Sequence, residues 1–220
     1  METIVDEQRQ VFDHIARSWY NFRHYSRFTT ELGQLAKRWH SGRLLNLGCG
    51  HGADFLPFKD NLELFGIDFS PEMVRLCREY ARKHGFNAVC TVADMCQLSF
   101  SDQSFDWAIA VASLHHLKGA AARLAALCEL RRVLKPGGQA FITVWNRWQP
   151  RFWTSGPDVM VPWRQKSETL LRYYHLFSYG ELESLAKRAG FRVISARPEH
   201  GYHLPFKTFS RNICLLVEKT

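Results

Sequence analysis

Arg43-Leu44-Leu45-Asn46-Leu47-Gly48-Cys49-Gly50-His51-Gly52 is the stretch that decides the fold. A short apolar run ends in a glycine-rich turn. Glycine lets the backbone approach a ligand closely and take conformations closed to other residues, and a helix following the turn would offer its free N–H groups. A strand ending this way opens an α/β sheet that binds its ligand at the strand's carboxyl end. The turn by itself leaves two readings open. Gly48-x-Gly50-x-x-Ala53 also fits a dinucleotide fingerprint, and Asp68, twenty residues after Gly48, suits a ribose in either case.

Outward from the turn, strand-like and helix-like runs alternate. Leu62–Asp68 reads as a second strand, and Ser70-Pro71-Glu72 opens a helix with a cap residue and a proline at the first position. That helix runs to His84-Gly85, where glycine stops it. Ala88–Val92, Phe105–Ala112 and Gln139–Trp145 are the next three strands. A long helix over Lys118–Leu134 is ended by Lys135-Pro136-Gly137-Gly138. Upstream, Val5, Phe12, Ile15, Trp19 and Phe22 recur at helical spacing, and a second helix covers Phe28–Trp39. Downstream, Asn146–Ser167 breaks the rhythm with Trp, Arg and Pro. Ser178 then caps a helix over Tyr179–Ala189, and Phe191–Ala196 and Ile213–Val217 finish the chain as strands. The alternation implies right-handed crossovers and a mainly parallel sheet covered on both faces. A single domain is expected: a helical cover (1–42), a binding core (43–145), an insertion or lid (146–177), and a last helix with two strands (178–220).

Composition narrows the class. An apolar share of 46% and a charged share of 23% are those of a globular chain. No run approaches the ~20 apolar residues of a membrane span, and Met1–Glu7 lacks the basic and apolar regions of a signal peptide. Six cysteines include no C-x-x-C pair, which suits buried free thiols in a reducing cytoplasm better than a zinc site or a disulfide framework. A net charge of +8 favours polyanionic partners, though solubility alone explains a charge of this size equally well.

Three further features separate the two readings of the glycine turn. Ala93-Asp94-Met95 follows the third strand, where a carboxylate can accept a hydrogen bond from an adenine amino group. The fourth strand empties into Ala112-Ser113-Leu114-His115-His116-Leu117. Lys-Pro-Gly-Gly precedes the fifth. From Leu44 to Trp145 the chain resembles the class I S-adenosylmethionine-dependent methyltransferases. The resemblance implies a Rossmann-like α/β fold, a seven-stranded mostly parallel sheet with helices on both faces, and S-adenosyl-L-methionine as cofactor. It implies that Gly48 and Gly50 line the donor's methionine end, that Asp68 binds both ribose hydroxyls and Asp94 the adenine, and that Asn46, Phe69, Met95 and Ala112 also belong to the cofactor site. Asn46 departs from the acidic residue usual at its position, although an amide still accepts hydrogen bonds.

Methyl transfer from a sulfonium needs chiefly an in-line nucleophile, so positioning dominates. No Asn/Asp-Pro-Pro-Tyr/Phe device for amino groups follows the fourth strand, and no Pro-Cys pair offers a thiolate for pyrimidine C6. Oxygen, sulfur or carbon nucleophiles remain. Phe12-Asp13-His14-Ile15-Ala16, Tyr20-Asn21-Phe22-Arg23, His115-His116, Val161-Pro162-Trp163, Arg172-Tyr173-Tyr174-His175-Leu176-Phe177 and Gly180-Glu181-Leu182 carry a second resemblance. They resemble the tRNA wobble-uridine carboxymethyl methyltransferases, which esterify 5-carboxymethyluridine and include the methyltransferase domain of the AlkB-like fusion protein. Arg211-Asn212-Ile213 replaces that family's Asp-Asn-Trp, so recognition of the anticodon region is expected to differ.

The resemblance points to Arg23 as the group that orients the acceptor carboxylate through its planar fork, or that holds the donor's own carboxylate. His115 and His116 leave the fourth strand near the methyl, and on an extended segment one of them, His116 by preference, faces the pocket. No metal is expected. Arg147, Trp148, Arg151, Trp153, Trp163, Arg164 and Lys166 interleave base and aromatic ring, as phosphate contact and base stacking require. A lid of packed tryptophans reads the same way. The resemblance also implies a small zinc-binding activator protein docked on the outer strand Ala88–Val92. The alternatives are a small-molecule O- or C-methyltransferase of the quinone or secondary-metabolite type, and a non-catalytic donor-binding scaffold.

Overall fold

β1 (Arg43–Leu47), buried from Leu44 onward, lies inside a seven-stranded sheet. A computed structural model describes residues 4–165 and 168–220, with side chains from residue 7. Lys166 and the side chain of Val5 lie outside the described part. The other strands are β2 (Glu63–Asp68), β3 (Ala88–Val92), β4 (Phe105–Val111), β5 (Leu134–Trp145), β6 (Asp158–Gln165), β7 (Glu168–His175), β8 (Phe191–Pro198) and β9 (Asn212–Lys219). The sheet runs β3-β2-β1-β4-β5-β9-β8, parallel from β3 to β5, with β9 antiparallel to both its neighbours. Strand order reverses between β1 and β4, and the carboxyl ends beside such a switch point form the ligand crevice of open α/β sheets.

Helices cover both faces. α1 (Ile4–Phe22), α2 (Thr29–Ala36) and α3 (Pro71–Lys83) pack on one side around Ile15, Leu32, Trp39, Phe55 and Tyr80. α4 (Ala120–Val133) and α5 (Tyr179–Arg188) pack on the other around Leu127, Leu130, Leu182 and Val217. The Ser70 hydroxyl caps α3 by accepting the Met73 N–H at 3.1 Å. The observed helices are shorter at their ends than the sequence reading by one to three residues.

Two local expectations need correction. The glycine turn is followed by a six-residue 3-10 helix, Ala53–Phe58, and not by an α-helix. Pro57 has no N–H to return to Ala53, which an α-helix starting there requires. Phe55 and Phe58, three residues apart, are both fully buried, the spacing that a 3-10 turn superposes. The turn therefore has no long helix N-terminus to offer. Second, the insertion contains an antiparallel hairpin, β6 paired with β7. In β6 exposed and partly buried residues alternate, with Pro162 on the exposed side. The hairpin packs on α1. Trp163 stacks at 5.2 Å from Trp19 and donates from Nε1 to Ser18 Oγ at 3.1 Å, while Tyr173 N donates to Gln8 Oε1 at 3.1 Å. Trp163 thus belongs to the cover and is not free to stack on a base.

Candidate active site

The switch point opens into a cavity of about 620 Å³. Its floor is the carboxyl ends of β1, β2 and β4, and its roof is α1 with Tyr174 of β7. Gly48, Gly50, Asp68, Phe69, Asp94, Met95, Ala112, His115, His116 and Arg23 all line it. Asn46 does not. It lies fully buried inside β1, and neither its amide nitrogen nor its oxygen has a partner.

The two glycines serve different ends. A Cβ on Gly48 (φ +71°) would lie 2.4 Å from Ser113 Cβ, so this glycine lets the loop after β4 pass beneath it. Ser113 Oγ donates to the Leu47 carbonyl at 2.7 Å and fixes that approach. A Cβ on Gly50 (φ +51°) would meet no protein atom within 4 Å, so a side chain there would take up space beside the cavity that the chain leaves open.

Asp68 is held at both oxygens. Oδ2 accepts the Gly50 N–H at 2.8 Å and Oδ1 the Ser70 N–H at 3.0 Å, and each oxygen keeps a lone pair for a ligand hydroxyl. Burial nevertheless pushes its pKa up to about 6 against these two bonds. The Ser70 hydroxyl donates in turn to Asp13 Oδ1 at 2.5 Å, and Glu72 N donates to the same oxygen at 3.2 Å. Asp13 thereby ties α1 to the start of α3. Asp94 is exposed and accepts the Cys96 N–H at 2.8 Å through Oδ1. Ala112 takes φ +52°, strained for a residue with a Cβ. Its N–H is pinned to both the carbonyl (3.1 Å) and Oγ1 (3.0 Å) of Thr143.

Leu114–His116 is a 3-10 turn and not an extended segment. Both histidine rings therefore line the cavity, with centroids 4.6 Å apart, where only one was expected. His116 Nδ1 bonds the Tyr173 carbonyl at 3.0 Å, so Nδ1 carries the proton and Nε2 a lone pair. His115 Nδ1 accepts the Trp145 N–H at 3.2 Å, which leaves the proton on Nε2. Burial lowers the His116 pKa to about 3 and holds His115 well below the usual imidazole range. Both are neutral at physiological pH, and neither is a strong base.

Tyr174 is the residue on which this half of the site turns. Its ring lies 4.2 Å from Trp145, 4.8 Å from His115 and 4.4 Å from His116. Arg172 stands behind it, 5.3 Å from the ring and itself only 5% exposed. Arg151 stacks on Trp145 at 4.5 Å, and Arg23 stacks on Trp19 at 5.3 Å and Phe22 at 5.1 Å. Burial lowers the pKa of all three arginines, and among the described residues no carboxylate offsets it. The Nε atoms of Arg23 and Arg172 are buried without partners. Sequence reading singled out Arg23 but gave no site role to Tyr174 or Arg172. It also passed over His51, whose Nε2 is a buried orphan on the cavity wall, and Asp54, whose pKa burial raises to about 6.

A methyltransferase domain model matches residues 44–138. Over 183 residues the chain is 31% identical to the tRNA (carboxymethyluridine(34)-5-O)-methyltransferase of Schizosaccharomyces pombe, covering 72% of this chain and 75% of that protein. It is a class I S-adenosylmethionine-dependent methyltransferase. The human probable tRNA methyltransferase 9B is 31% identical over 173 residues, 78% of this chain, which spans only 34% of that longer protein. Among solved structures, the CcbJ methyltransferase of Streptomyces caelestis aligns with a TM-score of 0.78 at 18% identity, covering 97% of this chain and 99% of its own. The [4+2]-cyclase SpnF aligns at 0.71 and 19% identity, covering 96% and 94%, so likeness of fold alone does not fix the reaction.

The residues present fit S-adenosylmethionine as cofactor. Gly50 leaves open the space a ligand backbone needs, Asp68 is fixed to accept from a ribose, and the Asp94 carboxylate stands at the mouth. The donor supplies an electrophilic methyl on a sulfonium. Among the described residues no helix is long and apolar enough to cross a membrane.

Proposed function

We propose that this methyltransferase esterifies the carboxylate of 5-carboxymethyluridine at the wobble position of tRNA. The observation that carries the reading is the group of unneutralised arginines, Arg23, Arg151 and Arg172, around Tyr174. Uncompensated positive charge beside low-dielectric walls favours an anion. Arg23, on the cavity wall, is the group to grip the acceptor carboxylate, with Arg151 and Arg172 adding field from behind the aromatic wall. One carboxylate oxygen attacks the donor methyl, the C–O bond forms as the S–CH₃ bond breaks, and a neutral ester and S-adenosylhomocysteine result. No proton moves, so weakly basic histidines suffice. The His115 Nε2–H is placed to hydrogen-bond the acceptor, and His116 shapes the pocket. The two reacting charges cancel in the transition state, which a site screened from water accommodates.

Several features support an RNA acceptor. Trp153 (59% exposed), Trp148 and Phe209 stand on the surface near Arg147, Arg151 and Arg211, a mix of rings and cations suited to stacking and phosphate contact. Of the proteins named above, the Schizosaccharomyces pombe relative is by name a tRNA methyltransferase and the human one a probable tRNA methyltransferase. Within the segments 1–42 and 146–177, α1 and the β6–β7 hairpin act as a joint cover, closing over the reacting carboxylate. β3 is an edge strand bearing exposed Val89 and Val92, the surface for a small zinc-binding activator protein. A reducing cytoplasm suits the free thiols. Incubating the chain, alone and co-expressed with such a protein, with labelled donor and tRNA from a strain lacking this modification tests the reading. Label confined to the wobble nucleoside is the expected result, and inert tRNA beside active small-molecule acceptors overturns it.

A further inference from the structure

Three cysteines that methyl transfer does not use meet in the core behind the donor loop. Cys49 belongs to the glycine loop, Cys77 to α3 and Cys90 to β3, and their Sγ atoms all lie within 4.8 Å of one another. The three residues are 3%, 0% and 4% exposed, and all are free thiols. Cys90 is the single buried residue of the edge strand β3, so the cluster sits one strand from solvent. Among the described residues no histidine or carboxylate joins the three as a fourth ligand.

Such a cluster can hold a metal or form a sulfur–sulfur bond, and ligand number and contact discriminate. Structural zinc takes four ligands, and among the described residues only three sulfurs meet here. Cys77 and Cys90 are in direct contact at sulfur and already pointed at each other. We propose that Cys77 and Cys90 are an oxidisable dithiol, converted by a peroxide into a disulfide, whose redox state sets the shape of the donor loop through Cys49.

Cys90 is the attacking sulfur. The neighbouring thiols of Cys49 and Cys77 and the nearby positive charge of Arg78 favour its thiolate, and Arg78 Nη2 donates to the Cys90 carbonyl at 2.7 Å. The thiolate attacks one peroxide oxygen, and the O–O bond breaks to give a sulfenic acid and, after proton uptake, water. The Cys77 sulfur then attacks the sulfenic sulfur. The S–S bond forms, the S–O bond breaks, and the hydroxyl leaves as a second water with the thiol proton. Two thiols and one hydrogen peroxide thus give one disulfide and two waters.

The donor loop rests on these sulfurs. A Cβ on Gly52 would lie 2.9 Å from Cys77 Sγ, and one on Gly66 would lie 2.9 Å from Cys49 Sγ. Drawing Cys77 toward Cys90 shifts the atom beneath the Gly52 turn and takes a thiol partner from Cys49, between Gly48 and Gly50. The inference rests on the placement of the donor loop and is independent of the acceptor.

The test treats the reduced full chain with hydrogen peroxide, then alkylates it under denaturing conditions and maps the peptides by mass spectrometry. A cross-linked peptide pair containing Cys77 and Cys90, two hydrogens lighter than the sum, is expected. It should be reversed by dithiothreitol, persist in Cys128→Ser and vanish in Cys90→Ser. Donor affinity by calorimetry should fall several-fold on oxidation and recover on reduction. Cys77 and Cys90 both staying alkylatable while the exposed Cys128 oxidises overturns the proposal. So does an equivalent of tightly bound metal in the purified wild type, and a cross-link without change in donor affinity overturns the coupling to the loop.

Discussion

Arg23→Lys keeps the charge and removes the planar fork. Arg23 is half-buried on the cavity wall, its Nε is without a partner, and among the described residues no carboxylate pairs with it. Its replacement therefore breaks no internal ion pair. Folding loses at most the stacking on Trp19 and Phe22, about 0.5–1 kcal/mol, a small fall in Tm. The acceptor carboxylate loses one of two charge-assisted hydrogen bonds, each about 1.5–3 kcal/mol. That converts to a drop of roughly ten- to 150-fold in kcat/KM for tRNA. The assay is initial-rate transfer of labelled methyl to tRNA, with donor affinity measured separately by calorimetry. Donor affinity should stay within about threefold of wild type. An unchanged rate, or a rate that falls in step with donor affinity, refutes the role given to Arg23. The second result would assign it to the donor's own carboxylate.

Gly50→Val adds a strained side chain beside the open cavity, and Asp68→Ala removes the carboxylate proposed to hold the ribose. Each should abolish donor binding in calorimetry while circular dichroism still reports a folded chain. The pKa of Asp68 is raised to about 6, so the folded protein takes up a proton there that the unfolded chain does not. Donor affinity, which needs the carboxylate, should fall as pH drops through 6. Affinity constant from pH 7 to pH 5 would contradict this. Asn46 carries an unsatisfied buried amide, worth about 1–3 kcal/mol of lost solvation. Asn46→Leu should therefore leave thermal stability unchanged or raise it, and a tenfold loss of donor affinity in that variant would show that the amide serves the ligand.

The part of the cavity lined by Gly48, Gly50, Asp68 and Asp94 was legible because these residues are local to the chain's strand ends. Gly48, Gly50, Asp68 and Asp94 sit at strand ends, and the strand order follows from the alternation of elements, so placing the strands places the residues. The 3-10 turn after Gly52 escaped because a glycine turn ordinarily precedes an α-helix, and the block at Pro57 acts against one backbone bond only. The acceptor half was less legible. Tyr174 reaches the cavity, with Arg172 behind its ring, only because β7 pairs with β6 and the hairpin packs on α1, a tertiary event with no signature in Trp-, Arg- and Pro-rich sequence. The pairing of His115 with His116 depended on a turn where a strand-like continuation was expected. The three cysteines are spaced without a motif, and only the packing of α3 and β3 against the glycine loop after β1 brings them together.

The central claim is that the methyl is carried as a carboxylate ester on tRNA. The measurement that tests it most directly is to label tRNA with methyl-tritiated donor, treat it with dilute alkali and count volatile methanol. Esters hydrolyse under these conditions, whereas methyl groups on ring nitrogen, carbon or ribose oxygen survive. Release of nearly all incorporated label as methanol is the expected result. Label that stays with the nucleoside would contradict the carboxylate acceptor even with tRNA as the substrate.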